Sequence, residues 1–145
     1  MIDIKVRQAT PADYAALAEL MTELGYAASP AEIAKRMEII NERTDYAILV
    51  AQTGGGIAGV IALTVTPSLY RSDPQGAIVA LVVSSAYRGR GTAGTLVQSG
   101  ENWLREHGVQ RVTVNPSIPR ENAHRLYARL GYEHTGLRFT KSLGA

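Results

Sequence analysis

Ala77-Ile78-Val79-Ala80-Leu81-Val82-Val83-Ser84-Ser85-Ala86-Tyr87-Arg88-Gly89-Arg90-Gly91-Thr92-Ala93-Gly94 decides how this chain is read. Ala77 to Val83 is a continuous apolar run, the pattern of a strand buried on both faces. It enters a polar, glycine-rich turn, Ser84 to Gly94. The turn opens a helix whose apolar face is Ala93, Leu96, Val97, Gly100 and Leu104. A helix's first turn has unpaired N–H groups and a partial positive charge, so it binds phosphate readily. Glycines let the backbone approach an anion closely, and Arg88 and Arg90 add positive charge. The competing reading is a plain loop with glycines for flexibility. The order strand, glycines, arginines, helix favours the anion site.

Gly89, Gly91 and Gly94 also satisfy G-x-G-x-x-G. A dinucleotide fingerprint, however, needs an acidic residue at the end of the next strand, about 20 residues on. Here that strand ends Val112-Thr113-Val114-Asn115, with no acid, and no Gly-Lys-Ser/Thr is present to make a Walker A loop.

Upstream, Ile2, Ile4 and Val6 alternate with polar residues as in a strand with one buried face. Thr10 and Pro11 start a helix with Asp13 in its first turn, Tyr14, Leu17, Met21 and Leu24 as its stripe, and Gly25 as its stop. Ser29-Pro30-Ala31-Glu32 has capping-box form and starts a second helix carrying Ile33, Met37 and Ile40. Strands are predicted over 46–52 and 57–65, joined by a hairpin at Thr53-Gly54-Gly55-Gly56, and a loop over 66–76. Downstream, His107 and Gly108 close the long helix. A short strand follows at 112–114, then a loop at 115–119, a helix over 121–130 stopped by Gly131, and an extended tail over 132–143. The order βααβββαβαβ indicates one mixed α/β domain over 1–145.

Composition narrows the function. The chain has 145 residues, 46% hydrophobic and 19% charged, with no cysteine. That is a globular profile, and it removes disulfides, thiolate-ligated zinc and a cysteine nucleophile. A net charge of +2 without a clustered basic face argues against nucleic acid. No stretch approaches the ~20 apolar residues of a membrane helix, so a cytoplasmic location and no membrane partner are expected. His107, His124 and His134 have no metal-ligand spacing. Trp103 reads as core or interface.

Arg88, Gly91 and Ala93 match Arg/Gln-x-x-Gly-x-Gly/Ala. Asn122-Ala123-His124-Arg125-Leu126-Tyr127-Ala128-Arg129-Leu130-Gly131-Tyr132 matches Asn-x-x-Ala/His-x-x-Leu-Tyr-x-x-Leu-Gly-Tyr/Phe. Together, one helix and one strand apart, these motifs resemble the GNAT superfamily of acetyl-CoA-dependent N-acetyltransferases. The resemblance implies a mostly antiparallel mixed sheet flanked by about four helices, whose fourth and fifth strands splay to form a cofactor groove. It implies that main-chain groups of Leu81, Val82 and Val83 pair with the pantetheine arm of acetyl-CoA. Arg88, Gly89, Arg90, Gly91, Thr92, Ala93 and Gly94 would hold the pyrophosphate, and Asn122 would bond the arm. Tyr127 would protonate the departing thiolate, since a phenol of pKa near ~10 suits a thiol leaving group. The competing reading of Tyr127 is a core aromatic. His124 reads as a surface or packing residue.

Many similar enzymes place a glutamate on the fourth strand as base; this strand has none, and Ala77 and Val79 stand where one might fall. Asp73 and Tyr70 are alternative bases in the preceding loop. The acceptor, an unidentified amine of a small molecule or peptide, would meet residues 25–30 and 66–75. No metal is expected, and pairing through C-terminal strands makes a homodimer an expectation. The expected reaction is direct attack by the amine on acetyl-CoA in a ternary complex. The missing glutamate motivates a competing hypothesis, an acyl-CoA-binding sensor or interaction module without transfer.

Overall fold

The apolar runs on either side of Gly54-Gly55 fold into the hairpin that the glycines predict. In the computed structural model, β2 (Tyr46–Thr53) and β3 (Gly56–Thr66) pair antiparallel. Thr53 closes the turn by donating its hydroxyl to the Gly56 carbonyl (3.1 Å). Residues 3–114, 121–133, 139 and 141–144 are described, with the backbone alone at 121–124. They fall into two compact units, Met1–Val114 and Asn115–Ala145.

The first unit holds one sheet in the order β1-β2-β3-β4-β5. β1 (Lys5–Gln8) and β4 (Gln75–Val83) pair antiparallel with β2 and β3, and β5 (Arg111–Val114) runs parallel to β4. This is the mixed, mostly antiparallel sheet expected. Successive residues of β3 face opposite ways, so Val60 and Ile61 serve two cores. On one face α1 (Tyr14–Leu24) and α2 (Pro30–Asn41) press Leu17, Leu20, Ile33 and Met37 onto Val50, Val60 and Val82. On the other, α3 (Thr92–Glu106) buries Thr92, Leu96, Val97, Gly100 and Leu104. A Cβ at Gly100 would stand 3.0 Å from Leu63 and 3.1 Å from Ile61, so this glycine lets helix and sheet touch. Ala93, expected on the buried face, gives way to Thr92, which completes the i, i+4 row Thr92-Leu96-Gly100-Leu104.

Among the described residues the first strand begins at Lys5. The first helix differs from expectation: Pro11–Asp13 is a 3-10 turn, and Asp13 is drawn into an ion pair. Its buried carboxylate accepts from Arg7 Nη1 (2.7 Å), Arg7 Nη2 (3.0 Å) and the Thr10 N–H (2.8 Å). The Arg7 hydrogen bonds hold the Asp13 carboxyl below its ordinary range. A depressed folded pKa gives stability that is present above the unfolded pKa, near ~3.9. That stability is lost as pH falls through the folded value. Asp13→Asn should therefore cost about 1.5–3 kcal/mol at neutral pH. In urea titrations the gap to the unmodified protein should narrow below pH ~4 and close at lower pH. A gap constant from pH 7 to 2 would mean that the charge contributes nothing.

In the second unit α4 (Glu121–Arg129) ends at Gly131, whose φ of +92° is the left-handed conformation glycine adopts without strain. The loop read over 115–119 and half of the tail over 132–143 lie outside the described residues. Among the described residues no helix is long and apolar enough to cross a membrane.

Candidate active site

Two features of β4 open an edge in the sheet. Pairing with β3 is regular from Gly59↔Val83 to Ala62↔Ala80, then jumps to Leu63↔Ile78 and leaves Val79 unpaired. This is a β-bulge. On the other side β5 reaches only Gln75 to Ile78. Among the described residues no strand covers the outer edge of Val79–Val83. Among the described residues the fourth and fifth strands pair over Gln75–Ile78 and Arg111–Val114. The expectation that β4 is buried on both faces fails for the same reason: Val79 is 45% exposed, and Leu81 and Val83 are half-buried. An uncovered edge offers N–H and C=O groups to an extended partner.

The edge leads into the glycine-rich turn. The Ser84 N–H donates to the Ala58 carbonyl (2.8 Å), and Ser85–Tyr87 forms a 3-10 turn. Gly89 (φ +79°) and Gly91 (φ +78°) are both left-handed. Thr95 makes the first helical bond, from its N–H to the Gly91 carbonyl (3.1 Å). The N–H groups of Thr92, Ala93 and Gly94 precede that bond and point out of the helix end. Among the described residues, Cβ atoms placed at Gly89, Gly91 or Gly94 would meet nothing within 4 Å, so the space beside these glycines is open there. Thr92 is buried at 3% exposure, so its side chain belongs to the core beneath α3.

Contacts that sequence reasoning missed hold this turn. The Tyr87 hydroxyl lies where a Cβ at Gly55 would come within 2.8 Å, so the hairpin glycines make room for it. The Arg90 guanidinium lies 5.9 Å from the Tyr87 ring centre. Glu23, in the last turn of α1, accepts the Ser85 N–H (3.0 Å). Of these, only Glu23 leaves a trace in the sequence, as an acid at a helix end that disfavours acids.

Tyr127 belongs to the second unit. The Tyr132 N–H donates to the Tyr127 carbonyl (2.8 Å) and the Gly131 N–H to Ala128 (3.1 Å). These two bonds with Gly131 form a Schellman stop. The stop brings the Tyr132 ring edge-on to Tyr127, centres 5.8 Å apart. Leu130-Gly131-Tyr132 is thus a helix terminator that also packs Tyr127. Burial pushes the Tyr127 phenol up to about 12, well above the ~10 assumed from sequence. Asn122 is in the first turn of α4, but its side chain, like that of His124, lies outside the described residues.

The alternative bases lie in the loop before β4. Asp73 accepts Arg71 Nε (3.0 Å), and Tyr70 is 92% exposed. The nine residues of β4, roughly 30 Å at ~3.3 Å each, separate them from the turn. Trp103, read as core or interface, is half-buried and stacks on His107 (ring centres 4.0 Å apart), lining a hollow of about 340 Å³ between the ends of α2 and α3. Among the described residues no group of three His, Asp or Glu could hold a metal.

The open β4 edge running into a glycine turn at a helix start is matched by sequence. Residues 14–132 match the acetyltransferase (GNAT) family. The chain belongs to that family. Over 144 residues this GNAT acetyltransferase is 31% identical to an aminoalkylphosphonate N-acetyltransferase of Salmonella typhimurium, covering 96% of this chain and 91% of the relative. A Bacillus halodurans structure described as a transcriptional regulator superposes with a TM-score of 0.85 at 25% identity, over 96% of this chain and 100% of the other. An aminoglycoside N-acetyltransferase solved with CoA shares the fold, with a TM-score of 0.86 at 18% identity over 99% and 97% of the two chains.

Proposed function

We propose that this GNAT acetyltransferase binds acetyl-CoA along the uncovered edge of β4 and transfers the acetyl group to the primary amine of a small molecule. The observation that carries the reading is the continuity of that edge, Val79–Val83, with a turn of two left-handed glycines and three unbonded helix N–H groups. The residues suit the ligand. Main-chain groups of Leu81, Val82 and Val83 pair with the amides of the pantetheine arm. The N–H groups of Thr92, Ala93 and Gly94, with Arg88 and Arg90, take the pyrophosphate through the open space before Gly89, Gly91 and Gly94. Asn122 bonds the arm, and the match over 14–132 across both compact units supports one functional domain.

Acetyl-CoA supplies an activated thioester. The acceptor's neutral amine forms the N–C bond as the C–S bond breaks, and the Tyr127 hydroxyl donates a hydrogen bond to the departing sulfur. β4 carries no carboxylate, so no side chain of that strand takes the amine's proton. The proton leaves to water, and the rate follows the fraction of neutral amine. An aminoalkylphosphonate is the acceptor to test first, on the likeness to the Salmonella typhimurium relative. A cytoplasmic location fits a protein supplied with acetyl-CoA.

Calorimetry with acetyl-CoA, desulfo-CoA and NADH tests the binding, and thiol release with an aminoalkylphosphonate and a panel of amines tests the transfer. The chain has no cysteine, so any thiol released comes from CoA. Both CoA compounds should bind and NADH should not. Absence of CoA binding would overturn the reading, and binding without transfer to any amine would leave the sensor.

A further inference from the structure

Glu23 stands where a carboxylate is least welcome. It lies in the last turn of α1, next to unpaired carbonyls and the negative end of the helix dipole. The stop at Gly25 fixes its direction: the Tyr26 N–H donates to the Met21 carbonyl (2.9 Å) and the Gly25 N–H to Thr22 (3.1 Å). Its carboxylate reaches 62 residues along the chain to accept the Ser85 N–H at 3.0 Å. Ser85 holds the Glu23 carboxyl below its ordinary range through its side chain first and its backbone next, and the charge of Arg88 adds to this. Ser85 directly follows the end of β4 and begins the turn that presents Arg88, Gly89 and Gly91.

We infer that Glu23 is a positioning residue for the cofactor turn, pinning its first residue to α1 and steering Arg88 toward the pyrophosphate. The inference rests on the assignment of that turn to acetyl-CoA. Three observations support it. The carboxylate is exposed and is not needed to fill a core. Its location opposes the helix dipole, so helix stability does not explain it. Its two interactions, with Ser85 and Arg88, both fall in the turn. The same bond joins α1 to the phosphate-facing end of the sheet.

The test compares two acetyl donors that differ by the nucleotide. Acetyl-CoA carries the pyrophosphate, and S-acetylpantetheine lacks it. Glu23→Ala should raise the Kd for acetyl-CoA by about tenfold, the effect of one lost hydrogen bond to a charged group, while the Kd for S-acetylpantetheine changes less than twofold by NMR titration. Glu23→Gln keeps an acceptor for the Ser85 N–H and removes the charge, so its loss should fall between those of Glu23 and Ala. It also serves if the alanine variant fails to fold. Equal weakening of both donors would make Glu23 a general fold contact, and unchanged acetyl-CoA binding would remove it from the turn. Either overturns the inference. If the unmodified protein binds S-acetylpantetheine and not acetyl-CoA, the assignment of the turn itself fails.

Discussion

Tyr127→Phe should lower kcat by about 10²–10³-fold, the range that losing one hydrogen-bond donor to a developing charge costs, and leave the Kd for acetyl-CoA within twofold. The variant removes one oxygen and keeps the ring that packs edge-on against Tyr132, so the helix end should survive. The pKa decides what the hydroxyl can do. Burial pushes it to about 12, far above a thiol near ~8.5. Full proton transfer from this phenol to a thiolate is uphill by about 3.5 pKa units, or roughly 5 kcal/mol. Its contribution is therefore a hydrogen bond that strengthens as negative charge develops on sulfur.

A pH consequence separates this from ordinary acid catalysis. The hydroxyl stays protonated across the whole range in which the enzyme can be assayed, so Tyr127 should add no alkaline limb below pH ~11. The rate should rise with pH until the acceptor amine is neutral and then level, in both the unmodified protein and Tyr127→Phe, with the two curves parallel. Thiol release measured from pH 6 to 10 reads this directly. A limb near pH ~10 that disappears in the variant would place the phenol in a less buried environment. Equal turnover in the variant would remove Tyr127 from the chemistry.

What was legible in the sequence was local. The Ser29 capping box forms as written: the Glu32 N–H donates to Ser29 Oγ (3.1 Å) and the Ser29 N–H to the Glu32 carboxylate (3.0 Å). Gly25, Gly108 and Gly131 all stop helices at positive φ, because a left-handed residue follows a helix end whatever lies around it. The glycine hairpin and the face of α3 from Leu96 to Leu104 could be read because both depend on local spacing. What was not legible depends on register or on distant partners. The bulge at Val79 exists only relative to β3. The parallel pairing of β5 with Gln75–Ile78 depends on a strand more than thirty residues on, and nothing within β4 records it. Asp13 has the look of a first-turn acid until β1 places Arg7 beside it. The shift at Tyr127 depends on burial, which no motif encodes.

Two glycines of the same helix illustrate the difference between a fold requirement and a site requirement. They lead to opposite signs on substitution. Gly100 is crowded by Leu63 and Ile61, so Gly100→Ala should destabilise the protein by about 1–3 kcal/mol through overpacking. Gly94 lies two residues into α3, away from positive φ, with nothing within 4 Å of where a Cβ would stand. On helix propensity alone Gly94→Ala should stabilise the free protein by up to ~1 kcal/mol. The new methyl, however, tilts toward the helix N-terminus and would crowd a pyrophosphate proposed to lie against the N–H groups of Thr92, Ala93 and Gly94. Thermal unfolding without ligand should therefore shift upward, while the Kd for acetyl-CoA rises at least tenfold, since a close backbone approach to an anion tolerates no side chain. A methyl that stabilises the free protein and leaves acetyl-CoA binding intact would show that the anion lies elsewhere. Movement of stability and affinity in opposite directions would identify Gly94 as a residue that the ligand, not the fold, requires.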